Sequence, residues 1–200
     1  MGPDWKEWNR SDILYGIVAP LLVVLLIVGI SQLSRVVGGG FEGLGGLVFG
    51  LTMELQELLL IAAIPLTLGL VWNRWAGGAS GFLMGMFYMF YWADTLRAIG
   101  GSGPVLLAYI LSPMLMGYIA GALNKHSENF KRILISGVVA ATVGGITLFG
   151  IDQLSSMNVV LGIEGFLLTV LPRMLVAVVI AVIAKVFTWY GVTMHKNHGT

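Results

Sequence analysis

The stretch LTMELQELLLIAAIP, residues 51–65, sets two carboxylates, Glu54 and Glu57, at the mouth of an apolar run that continues to Trp72. Three residues apart on a helix, they share a face, with Gln56 to one side. If Trp72 marks an inner interface, a rise of 1.5 Å per residue through about 30 Å of hydrocarbon reaches back to about Thr52. Both carboxylates then lie just inside the outer edge of a membrane, where like charges stay ionised only beside a cation or water. Two readings follow. They are solvated markers of a helix end, or they line the rim of a wet, outward-opening cavity.

A second constellation is FYMFYWADTLRAIGG, residues 87–101, in which Phe87, Tyr88, Phe90, Tyr91 and Trp92 lead into Asp94 and Arg97. As an aromatic belt with an i, i+3 charge pair it anchors a helix end. As a stacking platform with a charged pair, headed by Trp92 and Asp94, it binds a flat polar molecule. A third is Arg173, directly after Pro172 at the entry to the last apolar run. It either anchors a helix end by neutralising Glu164 or Asp152, or balances buried glutamates, with Gln153 and Asn158 adding hydrogen bonds from the same side.

Catalysis and metal binding find little purchase. His126 lies in a basic connector, and His195 and His198 lie in a short polar tail without the carboxylate or third histidine that a zinc site needs. The chain has no cysteine, which excludes disulfides and thiolate chemistry. There is no GxxxxGK[ST] stretch to cradle a nucleotide, so any ATPase belongs to another chain. Neither an enzyme nor a cofactor is expected. Net charge is +1 with no basic run, which argues against nucleic acid as a partner.

The elements that must position these residues follow from composition. The chain is 57% hydrophobic and 10% charged, with a mean hydropathy of +0.89, more apolar than 200 residues of soluble fold can bury. Its apolar stretches are continuous rather than alternating. The expected class is an all-α integral membrane protein, multi-pass in the cell membrane, built as one compact bundle.

Six spans can be drawn at about residues 13–33, 51–72, 77–93, 104–123, 133–150 and 167–190, the third the shortest and a candidate for a re-entrant segment. Residues 1–12, with Trp5 and Trp8, read as an interfacial segment, residues 13–190 as the transmembrane domain and residues 191–200 as a polar tail. Lys and Arg counted by side give N-in, C-in, with Lys6, Arg10, Arg74, Lys125, Lys131, Arg132, Lys185 and Lys196 inside. Glu42, Glu54, Glu57, Asp94, Asp152 and Glu164 fall outside, so a polar site there leans towards cationic or hydrogen-bond-donating ligands.

Small residues recur four apart at Gly77, Gly81 and Gly85, at Gly117 and Gly121, and at Gly137, Ala141 and Gly145. Such ridges let helix backbones approach closely in lipid, within the chain or against a partner subunit. Pro65 and Pro113 each leave a carbonyl one turn earlier without its helical donor, which bends a span or offers a polar spot.

In layout the chain resembles the substrate-binding S-components of energy-coupling factor (ECF) transporters. The resemblance rests on the Gly-rich connector GGGFEGLGGLVFGL, the proline-containing AAIPLTLGLVWNRWAGG, the glycine-rich GGASGFLMGM, the loop and helix GGSGPVLLAYILSPMLMGYIAGAL, and LPRMLVAVVIAVIAK. It spans roughly residues 13–190. The resemblance implies six helices, a water-soluble nutrient bound in the outer half, and partners: a transmembrane coupling protein and separate ATPases. Matched ligand positions are Glu54, Glu57, Tyr109, Asp152, Glu164 and Arg173. Where the family's first helix often carries an alanine-xxx-alanine docking face, this chain offers Gly16 and Ala19.

The expected function is therefore a membrane substrate-capture subunit for a vitamin-like or cationic nutrient, in contact with membrane lipids and partner subunits. The alternative is a non-catalytic accessory or scaffold subunit of a larger membrane complex.

Overall fold

The structure is a computed structural model and describes residues 55–98, 103–154 and 162–189, with the side chains of residues 94–98 and 189 outside the description. All regular structure among the described residues is helical. Helix α1 runs Leu55–Val71, α2 Arg74–Ala98, α3 Gly103–Asn124, α4 Phe130–Leu154 and α5 Ile163–Trp189. Helices α3, α4 and α5 are long and apolar enough to cross a membrane. Gly16, Ala19, Glu54 and the first expected span lie outside the described residues.

Several helices begin or end beyond the apolar runs that announce them. Helix α2 is one continuous rod of 25 residues where a short or re-entrant segment was expected over residues 77–93. Asn73 explains its early start, since its Oδ1 accepts the Ala76 N–H at 2.8 Å and satisfies a first-turn donor. Helix α5 starts at Ile163, with Glu164 in its first turn, a carboxylate placed favourably against the helix dipole. Arg173 consequently lies ten residues into α5 rather than at its entry.

Within α1, residues Leu58–Ala63 form a π-helical stretch, closed by the Ile64 N–H donating to Leu59 O. It ends two residues before Pro65, which cannot donate to the carbonyl one turn back. The wider turn accommodates that break, and Glu57 sits at its leading edge.

Successive helices alternate in direction. Along α2 and α3, a methyl group placed at Gly77, Gly81 or Gly85 would lie 2.3, 2.2 and 2.2 Å from the carbonyl oxygens of Gly117, Pro113 and Tyr109. The two backbones therefore touch along an antiparallel seam that admits no side chain. The Tyr109 oxygen is the one that Pro113 deprives of its helical donor, and Gly85 covers it. Gly69 of α1 packs on the same Gly117 carbonyl, so three backbones converge at this point. Helix α4 meets α3 through Gly144 against Met116 and through Ser112 Oγ donating to Gly144 O at 2.9 Å. It meets α5 through Gly145 against Val170 and the Phe149–Phe166 edge contact.

The buried core runs from Leu60, Ile61 and Leu66 of α1 through Met84 and Tyr88 to Met116, Ala140, Ala141, Ala177 and Ala181. Outward faces are apolar as well. Phe82, Phe90, Leu107, Leu168, Leu175 and Val179 are exposed, the distribution expected of helices solvated by hydrocarbon.

The two ends of the bundle differ in charge. At one end Arg132 Nε donates to Leu123 O at 3.0 Å and Lys185 Nζ to Glu128 O at 2.7 Å, so cations cover the turn that joins α3 to α4. Lys125 and His126 there take left-handed backbone angles, with φ of 49° and 58°. Arg74 stacks over Trp75 beside Tyr118. Glu57 and Arg173 belong to the other end.

Candidate functional site

Glu57 and Arg173 form an ion pair through Oε1 and Nη2, joining the start of α1 to the first half of α5. The arginine side chain is 5% exposed and the glutamate 19%, so the cation is sealed in the bundle while the carboxylate keeps an open side. Arg173 Nη1 donates to Thr169 O, one turn back on its own helix. Pro172 cannot donate to the carbonyl of Leu168, and this loosened turn leaves room for the arginine to fold against its own backbone.

Glu57 is held from a third helix. Tyr88 Oη donates to its Oε2 at 3.4 Å, a long bond. Tyr88 is fully buried, and its ring lies 5.1 Å from that of Tyr109 on α3 and 6.5 Å from that of Trp92. Tyr91 meets Trp92 edge-on at 5.1 Å. Rings in such tilted and edge-on arrangements hold one another rigidly. Tyr109 lies in electrostatic range of Glu57, Asp152 and Arg173, and Asp152, half-buried near the end of α4, feels both members of the ion pair. All five helices contribute to one polar cluster.

The arrangement has groups at rest and groups with capacity left. Arg173 Nε and Gln153 Nε2 are buried without a hydrogen-bond partner among the described residues. No group of three or more His, Asp or Glu among the described residues is placed to hold a metal ion. Charged groups, phenol hydroxyls and packed aromatic rings thus meet at one end of the bundle.

Of the candidate residues, Glu57, Trp92, Tyr109, Asp152 and Arg173 come together here. Glu164 stands apart, exposed in the first turn of α5. Asp94 falls on α2, but its side chain, like Glu54 and Asn158, lies outside the description. Tyr88 was not singled out from its aromatic run, though a signal existed. Met84, Tyr88 and Trp92 recur at i, i+4 and i+8 and are buried, while Phe82, Phe87 and Phe90 face outward. Phase relative to the glycine seam separates the two sets.

The chain matches no protein-family model, no curated protein and no solved structure. A functional reading therefore rests on the cluster itself.

Proposed function

We propose that the chain is the substrate-capture subunit of a small-molecule transporter, a six-span protein of the cell membrane with both termini inside, energised by partner subunits. The observation that carries this reading is the Glu57–Arg173 pair, bonded by Tyr88, whose ring packs in turn on Tyr109 and Trp92. Ionisable groups within apolar helices are costly, and they recur where a substrate or ion must be met.

Orientation supports the same reading. The positive-inside rule favours the basic end, with Arg132 and Lys185 over the α3–α4 turn, as the inner one, and this supports an outer-half position for the cluster. From there a capture subunit meets its nutrient. The layout resemblance to ECF S-components agrees with this arrangement and supplies the expectation of a coupling protein and separate ATPases.

The test is purification of the whole chain in mild detergent, followed by mass spectrometry of what it retains. A stoichiometric small molecule is expected, and its re-addition raises the melting temperature by mass action on the folded state. Glu57→Gln, if folded, is expected to lose that molecule. A chain that retains none, and instead co-purifies in fixed ratio with large membrane subunits, is a scaffold and overturns the proposal.

A further inference from the structure

Helix α1 is held from both of its ends. Near its last turn the Gly69 backbone lies against the Gly117 carbonyl with no room for a side chain, and Asn124 Nδ2 donates to Leu70 O. Backbone packed on backbone fixes the rotation of this half. At the first turn, Glu57 is held by Arg173 and by Tyr88.

Between the two anchors runs the π-helical stretch Leu58–Ala63, closed by the Ile64 N–H on Leu59 O. Such a stretch amounts to an α-helix with one residue too many, and it is rare. Pro65 makes a place for it, because a proline leaves a carbonyl behind it without a donor. The proline does not decide which residue reaches Arg173. The extra residue does. If α1 ran back from Ile64 as a plain α-helix, each residue of its first turn would move up one place and rotate by about 100°. Leu58 would then face Arg173, Glu57 would take the buried place of Gln56, and Gln56 would take the exposed place of Leu55.

We infer that the ion pair and the π turn form one switch: Glu57 bound to Arg173 holds the extra residue in α1, and parting the pair lets the first turn slip by one residue into plain α-helix. The inference stands apart from the capture reading and holds whatever the chain carries.

Glu57→Gln/Arg173→Met is the informative background. Once slipped, its new glutamine fills the place that Gln56 leaves and Leu58 packs on the new methionine, so no charge is stranded. The chain has no cysteine, so thiols introduced one at a time into the full chain report position in detergent. With the pair intact, a water-soluble maleimide should label Leu55→Cys, where Leu55 is 53% exposed, and spare Gln56→Cys, where Gln56 is 7% exposed. With the pair replaced, Gln56→Cys is expected to react about tenfold faster, since labelling of a buried thiol follows the population of the state that exposes it. Leu70→Cys, buried in the fixed half, should stay unlabelled throughout. If Leu70→Cys reacts with the pair replaced, that background has lost its fold, and Glu57→Gln alone takes its place.

Deletion of the exposed Leu59 removes the extra residue and leaves a plain α-helix with Glu57 still opposite Arg173. In the deleted chain Gln56→Cys should stay slow whether the pair is intact or replaced. No rise at Gln56→Cys in a folded background makes Pro65 alone the cause of the π turn and overturns the inference. An equal rise in the deleted chain, a deleted chain that does not fold, or a joint rise at Gln56→Cys and Leu70→Cys in both backgrounds overturns it too, because each shows loosening rather than a slip.

Discussion

Glu57 and Arg173 stand 116 residues apart in the chain and meet as a buried ion pair, so the first described helix is fastened to the last by charge. Removing one member of such a pair leaves the other uncompensated, at a cost of about 3–5 kcal/mol. Arg173→Met and Glu57→Gln are each expected to destabilise by about that much. The double variant should recover a large part of the loss, because no charge is then stranded. Denaturant unfolding of all four proteins in one detergent gives the coupling directly. Strict additivity of the two single changes would show that the residues do not act as a pair.

The glycine seam yields a second prediction. A Cβ at Gly117 would sit 2.0 Å from the Gly77 carbonyl oxygen, and backbone on both sides cannot give way cheaply. Gly117→Ala should therefore destabilise by about 1–3 kcal/mol through overpacking. Gly150 is also helical but has nothing within 4 Å of the same position. Gly150→Ala should be neutral, or should stabilise by up to about 1 kcal/mol through helix propensity. Melting temperatures of the two variants are expected to move apart, and a similar response from both would contradict the contact.

A third prediction concerns Asn124, buried at the end of α3, whose Nδ2 donates to Leu70 O at 2.8 Å. Leu70 is in the last turn of α1, where carbonyls lack helical donors. Asn124→Leu keeps approximate volume and removes the donor, which strands a buried carbonyl at a cost of about 1–3 kcal/mol. The loss should appear in unfolding experiments without any change in ligand binding, because Asn124 and the Glu57 cluster occupy opposite ends of the bundle.

How much of this could be read beforehand differs by kind of feature. Helices α3 and α4 are legible from their apolar runs, because a lipid-facing helix must be apolar along its whole length and announces itself. The depth of Arg173 was not. The apolar run begins near residue 167, whereas Gly162 and Glu164 start α5 a turn earlier with residues that no hydropathy window favours. The partner of Glu57 was equally hidden, since nothing local to either residue points across 116 positions. Tyr88 was available in principle through its phase against Gly81 and Gly85. That Arg173 Nε and Gln153 Nε2 have no hydrogen-bond partner among the described residues could not be read at all, because whether a donor is satisfied depends on every helix around it.

The last prediction tests which way the bundle faces. The chain has no cysteine, so a single introduced thiol reports without background. Ser127 and Asn129 lie in the turn between α3 and α4, the turn covered by Arg132 and Lys185. Among the described residues Ser127 Oγ accepts just one hydrogen bond, a long one from the Asn129 N–H at 3.3 Å, so Ser127→Cys should fold normally. With the basic end inside, a membrane-impermeant maleimide added to intact cells should leave Ser127→Cys unlabelled and should label it once the membrane is permeabilised. Gly162→Cys is the wrong reporter for the other end, because its backbone φ of 104° belongs to glycine. Ile163, exposed and next to it, is the better position, and Ile163→Cys should react in intact cells. The reverse pattern would put the Glu57–Arg173 cluster in the inner half, where it could not meet a nutrient from outside, and the capture reading would fall with it.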